Sequence, residues 1–249
     1  RGGSENIDVE FATSRGICVM NTPGRLARAV AECTVGLILS EIRNIARAHA
    51  LLKLGEWSRS FPNSDDIPEL EDRTVGLVGY GAIAQLVAKF LHGFDAKLLA
   101  FDPYFQGDPS PAVLADLDTV MRESDIVSLH ARLTPETEHM VGRRELSLMK
   151  PTAILVNTAR SGLVDEKALI AMLEERKIMG AAIDVFDEEP LPEGSPWLKL
   201  DNVTIAPHLA GSTADGFRNS PKRMARFIAA LLAGDRDGLP VINGVAPNI

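Results

Sequence analysis

The chain has 249 residues, enough for one large or two modest domains with a buried core, and its 45% hydrophobic and 24% charged content is that of an ordinary globular protein. A net charge of −8 without any basic stripe argues against nucleic acid as a partner. No uninterrupted apolar run of about 18 residues and no signal peptide is visible, so no membrane partner is expected and a cytoplasmic setting is.

In chain order, the loop-like Arg1-Gly2-Gly3-Ser4 opens without methionine, and the expectation is a chain cut at its N-terminus. Residues 1–21 carry a helix-like Phe11–Gly16 and a strand-like Ile17-Cys18-Val19-Met20, too little to fold alone. Thr22-Pro23 is a helix-start signal. Apolar residues then recur at Val30, Cys33, Leu37, Ile42, Ile45 and Leu52, which predicts one long helix over about Arg25–Leu54, with a subunit interface as its expected partner. The two cysteines, Cys18 and Cys33, fit no metal spacing and read as small apolar packers, so no metal is expected. The polar, proline-bearing Ser58–Asp72 is a connecting loop.

From Thr74 onward strands and helices alternate. The apolar run Val75–Val78 enters Gly79-x-Gly81-x-x-Ala84, and an apolar segment of helical period follows over Ile83–Leu91. This is the strand, tight turn and helix start of a dinucleotide site. Gly79 permits the turn, Gly81 lets backbone approach a pyrophosphate, and Ala84 lets the helix lie close on the strand. Amides near Ala82 and Ile83 would hold the phosphates. A second strand, Lys97–Phe101, ends in Asp102, whose 23-residue distance from Gly79 suits a carboxylate on a ribose hydroxyl. A carboxylate there repels a 2′-phosphate, so NAD(H) is expected rather than NADP(H).

Further helix–strand pairs follow: Leu114–Glu123 into Asp125–His130, Arg144–Met149 into Ala153–Asn157, Glu166–Glu175 into Ala181–Phe186, then the strand Val203–Ala206 and a last helix over Arg218–Leu232. Apolar strands with helical crossovers predict an α/β fold, a doubly wound parallel sheet of Rossmann type, whose ligands lie beyond the carboxyl ends of the strands. Those ends carry Asp102, His130, Thr158-Ala159-Arg160, Asp184 and Pro207-His208. Arg160 offers a planar fork for a carboxylate, His208 can shuttle a proton near neutral pH, and Glu189 could hold that histidine.

Three stretches, Asn157-Thr158-Ala159-Arg160-Ser161-Gly162-Leu163-Val164-Asp165, Ala182–Leu191 and Pro207-His208-Leu209-Ala210-Gly211-Ser212-Thr213, closely resemble signatures of the D-isomer-specific 2-hydroxyacid dehydrogenases. The resemblance implies an NAD-dependent oxidoreductase acting on the CH–OH group of D-2-hydroxy acids. Arg160 would bind the carboxylate and His208 would be the acid/base, paired with Glu189. Gly79, Gly81, Ala82, Ile83, Asp102, Ala131, Thr158, Asp184, His208, Gly211 and Ser4 would contact the cofactor. Arg25 and Arg132, which stand at departures from the family pattern, could favour a phosphorylated or doubly charged acid.

The resemblance also implies an NAD-binding domain over 22–211, with 1–21 the end of the first part of a smaller flavodoxin-like substrate domain and 212–249 returning to it. On the order of 80 residues of that domain would then precede Arg1. A homodimer through the cofactor domain is expected. Glu189 argues against a formate enzyme, in which an amide replaces this acid. The alternative function is an NAD(H)-binding corepressor-like protein of the same fold.

Overall fold

In a computed structural model, residues 7–63 and 67–247 are described. The chain divides into two compact units, one of Val30–Ala210 and one of Arg1–Ala29 with Gly211–Ile249. The larger holds a seven-stranded sheet in the order β3-β2-β1-β4-β5-β6-β7, every pairing parallel. Its strands are β1 (Thr74–Val78), β2 (Lys97–Phe101), β3 (Val113–Leu114), β4 (Ile126–Leu129), β5 (Ile154–Asn157), β6 (Gly180–Ile183) and β7 (Val203–Ile205). The crossover helices α4 (Ala82–His92), α5 (Leu117–Glu123), α6 (Arg143–Leu146) and α7 (Glu166–Glu174) connect them.

The central strands β4, β5 and β6 are buried along their whole length, as a sheet covered on both faces demands. Two apolar clusters result. One gathers Val75, Leu77, Val87, Leu91 and Ile154 with Ile38 and Ile42; the other gathers Val127, Leu129, Leu155, Leu169, Leu173 and Ile183. Leu77 and Leu155 are fully buried, so truncating either to Ala costs about 2–5 kcal/mol. The strand order reverses between β1 and β4, and ligands of open parallel sheets lie in the crevice at such a switch point.

The long helix expected over Arg25–Leu54 is two helices, α2 (Ala27–Ile42) and α3 (Ile45–Lys53). Asn44 between them is left-handed, at φ 55°, a conformation asparagine tolerates better than most residues. Arg47 turns back across the break, with its guanidinium on both oxygens of the buried Glu41 at 2.7 and 2.8 Å; Thr204 Oγ donates to the same carboxylate at 2.7 Å. A charge buried this far must be paired, and here it is. Burial pushes the Glu41 carboxyl above its ordinary value against the pull of Arg47.

The start expected at Thr22-Pro23 also moves, to Ala27, because Gly24 at φ 65° keeps residues 23–26 in a turn. Ile17–Met20 is no strand: Met20 forms an isolated antiparallel bridge with Val241. In the smaller unit α1 (Val9–Ser14) is capped by Asp8, and α8 (Ala214–Leu232) begins four residues before the expected Arg218 because Thr213 caps it, its Oγ accepting from Gly216 N–H. The expected helix over Leu114–Glu123 gives its first residue to β3, which bonds β2 through Leu99–Val113 and Ala100–Leu114. No helix among the described residues is long and apolar enough to cross a membrane.

Candidate active site

The β1 exit fits a dinucleotide by what it lacks. Gly79 sits at φ 86°, and a Cβ there would fall 2.6 Å from Ala131 N and 2.8 Å from His130 C, so only glycine lets the β1 and β4 exits pass this closely. Gly81 caps α4 in extended geometry without any side-chain cap, and a Cβ on it would meet nothing within 4 Å. The first intrahelical bond is Gln85 N–H to Gly81 O, so the amides of Ala82 and Ile83 precede the ladder and face an open cradle.

At the tip of β2, Asp102 Oδ2 accepts from Tyr80 N–H at 2.8 Å and Oδ1 accepts from Tyr104 N–H at 3.0 Å. Each oxygen keeps a lone pair, so the carboxylate is fixed but still able to accept from a hydroxyl. Cradle, bare amides and acid together suit a pyrophosphate joined to a ribose. Ala131 is half-buried beside this turn, while Ser4 lies outside the described residues.

The β5–β7 edge is built the other way, from side chains. Asn157 closes the turn after β5: its Nδ2 donates to Arg160 O at 2.9 Å and its Oδ1 accepts from Ala159 N–H at 3.0 Å. That turn leaves Thr158 buried, its Oγ 2.8 Å from Thr34 Oγ on α2, and Arg160 exposed, with Nη1 on Ala159 O at 2.7 Å. Beyond β6, Glu189 Oε1 accepts from Phe186 N–H at 3.0 Å, and its Oε2 lies 2.7 Å from His208 Nδ1. His208 stands at φ 51°, with its amide on Ala206 O at 3.0 Å.

Burial pulls the Glu189 carboxyl up, but the His208 and Phe186 hydrogen bonds and the charges of His208 and Arg160 outweigh it and hold the group below its ordinary value. Arg160, Glu189 and His208 therefore share one electrostatic site. With Nδ1 engaged by Glu189, Nε2 is the ring nitrogen left to face a reactant. The pair forms one side of a cavity of about 490 Å³ whose other lining includes Phe186, Pro190, Leu191, Ile205 and Pro207.

Asp184 follows β6 and is fully buried; Oδ1 accepts from Leu209 N–H at 2.8 Å and Oδ2 from Ala210 N–H at 2.9 Å. Burial pushes its carboxyl up against those two amides. Burial and the Asp184 charge likewise push the Cys33 thiol up, which makes Cys33 a poor nucleophile that packs beside the apolar core, as its sequence context implies.

Arg132 is exposed, and its carbonyl accepts from Thr137 Oγ at 2.7 Å. In the smaller unit, Arg25 Nη1 donates to Ser220 Oγ at 2.5 Å, and a Cβ on Gly211 would meet Leu26 Cδ1 at 2.9 Å. Nothing local in the sequence marks Thr34 as the partner of Thr158 or Ser128 as the partner of His130, whereas Asn157, a turn-forming residue at a strand end, carries a local signal for the turn that it closes.

Residues 35–210 match the family described as D-isomer specific 2-hydroxyacid dehydrogenase, NAD binding domain. A glyoxylate reductase of Thermofilum pendens is 44% identical over 238 residues, covering 94% of this chain and 70% of the relative. A D-3-phosphoglycerate dehydrogenase of Methanocaldococcus jannaschii is 42% identical over 94% of this chain, which spans 44% of that relative's length. Among solved structures, D-lactate dehydrogenase with NAD+ from Lactobacillus jensenii superposes with a TM-score of 0.83 at 33% identity, over 96% of this chain and 76% of that one. With a profile match across most of its length and relatives of this identity, the chain belongs to the D-isomer-specific 2-hydroxyacid dehydrogenases, NAD-dependent oxidoreductases, and carries their NAD-binding domain.

Proposed function

We propose that this chain reduces a small 2-keto acid to the D-2-hydroxy acid, with NADH as reductant and His208 as the proton donor. The observation that carries the reading is the 2.7 Å His208 Nδ1–Glu189 Oε2 contact at the same sheet edge as Arg160, whose charge is felt at Glu189. NADH, when bound, supplies the hydride that adds to C2. Arg160 binds the substrate carboxylate through its planar fork and orients the keto group. Protonated His208 donates from Nε2 to the keto oxygen as that oxygen gains charge, leaving a neutral imidazole that water reprotonates. Glu189, through its contact with Nδ1, fixes which ring nitrogen faces the substrate, and its second bond, to Phe186 N–H, holds the carboxylate and with it the ring in place.

Ala82, Ile83 and Asp102 are the groups we assign to pyrophosphate and ribose, with Thr158 and Gly211 toward the nicotinamide. Glyoxylate leads the candidate substrates because a glyoxylate reductase is among the relatives, and a phosphorylated acid served by Arg25 or Arg132 is the alternative.

The test follows NADH and NADPH oxidation with glyoxylate, hydroxypyruvate, phosphohydroxypyruvate and pyruvate. The expected result is NADH-linked turnover, reduced about 10²–10⁴-fold in kcat by His208→Ala with NADH affinity retained. NADH binding without turnover on any acid would overturn the proposal.

A further inference from the structure

We propose that Asp184 is a positioning residue for His208, acting on the loop that carries the histidine before any cofactor is present. This rests on the reading of His208 as acid/base and deepens it.

His208 is exposed, so packing alone does not fix it, and it holds φ 51°, a left-handed conformation that a residue with a Cβ adopts only when its surroundings impose it. Pro207 precedes it, and the bond from its own amide to Ala206 O closes only a tight local turn. The next two amides, Leu209 N–H and Ala210 N–H, each donate to a different oxygen of Asp184, at 2.8 and 2.9 Å. Two consecutive amides converging on one carboxylate require the chain to curl around it. The left-handed residue just before them is what starts that curl.

Asp184 sits one residue beyond β6 and has no exposed surface, so its oxygens are fixed by the sheet. Glu189, on the segment after the same strand, grips the His208 ring while Asp184 grips the backbone beyond it. The imidazole is therefore held at two points, both referred to β6. A fully buried carboxylate with each oxygen already accepting an amide is placed to shape this loop first.

The experiment uses the full chain without cofactor. Amide hydrogen exchange is measured at Leu209 and Ala210, together with the His208 ring proton resonance, in wild type and Asp184→Asn. Asparagine keeps the size but turns an NH2 toward one of the two amides, donor against donor. The expected wild-type result is protection at Leu209 and Ala210 comparable to that of β6 amides, lost in the variant, with a shifted His208 ring proton.

With NADH and a turned-over acid, kcat should fall about 10²-fold, the cost of misplacing a reacting group by about 1 Å, while the NADH Kd changes less than about threefold. Unchanged cofactor-free spectra with a weakened NADH Kd would overturn the proposal and leave Asp184 a cofactor contact only. If Asp184→Asn does not fold, wild-type exchange decides: loop-rate exchange at Leu209 and Ala210 overturns it. If no acid is reduced, the acid/base reading fails, while the exchange and ring-proton measurements still report on Asp184.

Discussion

The β1–β4 end of the sheet and the β5–β7 end do opposite things with the same strand-exit geometry. At β1–β4 the important atoms are backbone, and side chains are kept out: Gly79 touches the His130–Ala131 peptide and Gly81 faces open space. At β5–β7 the important atoms are side chains, and backbone serves to aim them: Asn157, Asp184 and Glu189 all spend hydrogen bonds on main-chain amides near Arg160 and His208. The first end is specified by volume and fails when volume is added. The second is specified by charge and hydrogen bonding and fails when an acceptor is removed. Substitutions at the two ends should therefore produce different signatures, which makes the contrast testable.

The largest effect should come from Gly79→Ala. It adds a Cβ 2.6 Å from Ala131 N, against backbone that cannot swing aside, and does so at φ 86°. Left-handed strain and overpacking each cost about 1–3 kcal/mol, so a loss of about 3 kcal/mol or more is expected in urea unfolding. NADH binding should fall with it. A variant of wild-type stability would show that the two strand exits are not packed as described.

A smaller effect tests the floor beneath that turn. His130 closes β4 with Nε2 2.9 Å from Ser128 Oγ, and burial pushes its imidazole down to about 4 from an ordinary 6.5. Between those values the unfolded chain binds more protons than the folded one, so stability falls as pH drops from about 6.5 to about 4. The full difference is worth about 3 kcal/mol. Urea unfolding at pH 7, 5.5 and 4.5 should show this slope, and His130→Gln should flatten it. An identical slope in the variant would assign the acid limb to carboxylates such as Glu189, whose depressed value gives stability above its ordinary range and loses it as pH falls.

The β1–β4 end was largely legible in the sequence because its signal is local. Two glycines, a helix start and an acid 23 residues on obey spacing rules that backbone geometry imposes. The strand ends bearing Arg160, Asp184 and His208 were legible as chemistry at the carboxyl edge of the sheet. Their supports were not, because Asp184 meets amides 25 and 26 residues away and Thr34 meets Thr158 across 124 residues. Separations of that kind follow from tertiary packing, on which local propensity is silent. The same holds for the break at Asn44. Apolar periodicity continued through it, while Arg47 folding back onto the buried Glu41 ended α2. In Val113–Leu114 the two-residue strand was too short for any period to show.

The smallest expected effect separates volume needed by the fold from volume kept for a ligand. Gly81 has φ −79°, which any L-residue adopts, and a Cβ there meets nothing within 4 Å. Gly81→Ala should therefore change stability by less than about 1 kcal/mol, the difference between glycine and alanine at a helix N-cap. The added methyl would occupy the cradle in front of the Ala82 and Ile83 amides, so NADH Kd should rise about tenfold, equivalent to about 1.4 kcal/mol. Fluorescence titration of NADH beside a thermal melt reads both quantities on one sample. A weakened Kd at constant Tm means the open space at Gly81 is held for the pyrophosphate. An unchanged Kd would leave Gly79 as the only glycine of the pair with a physical reason to be glycine, and would move the pyrophosphate away from the α4 N-terminus.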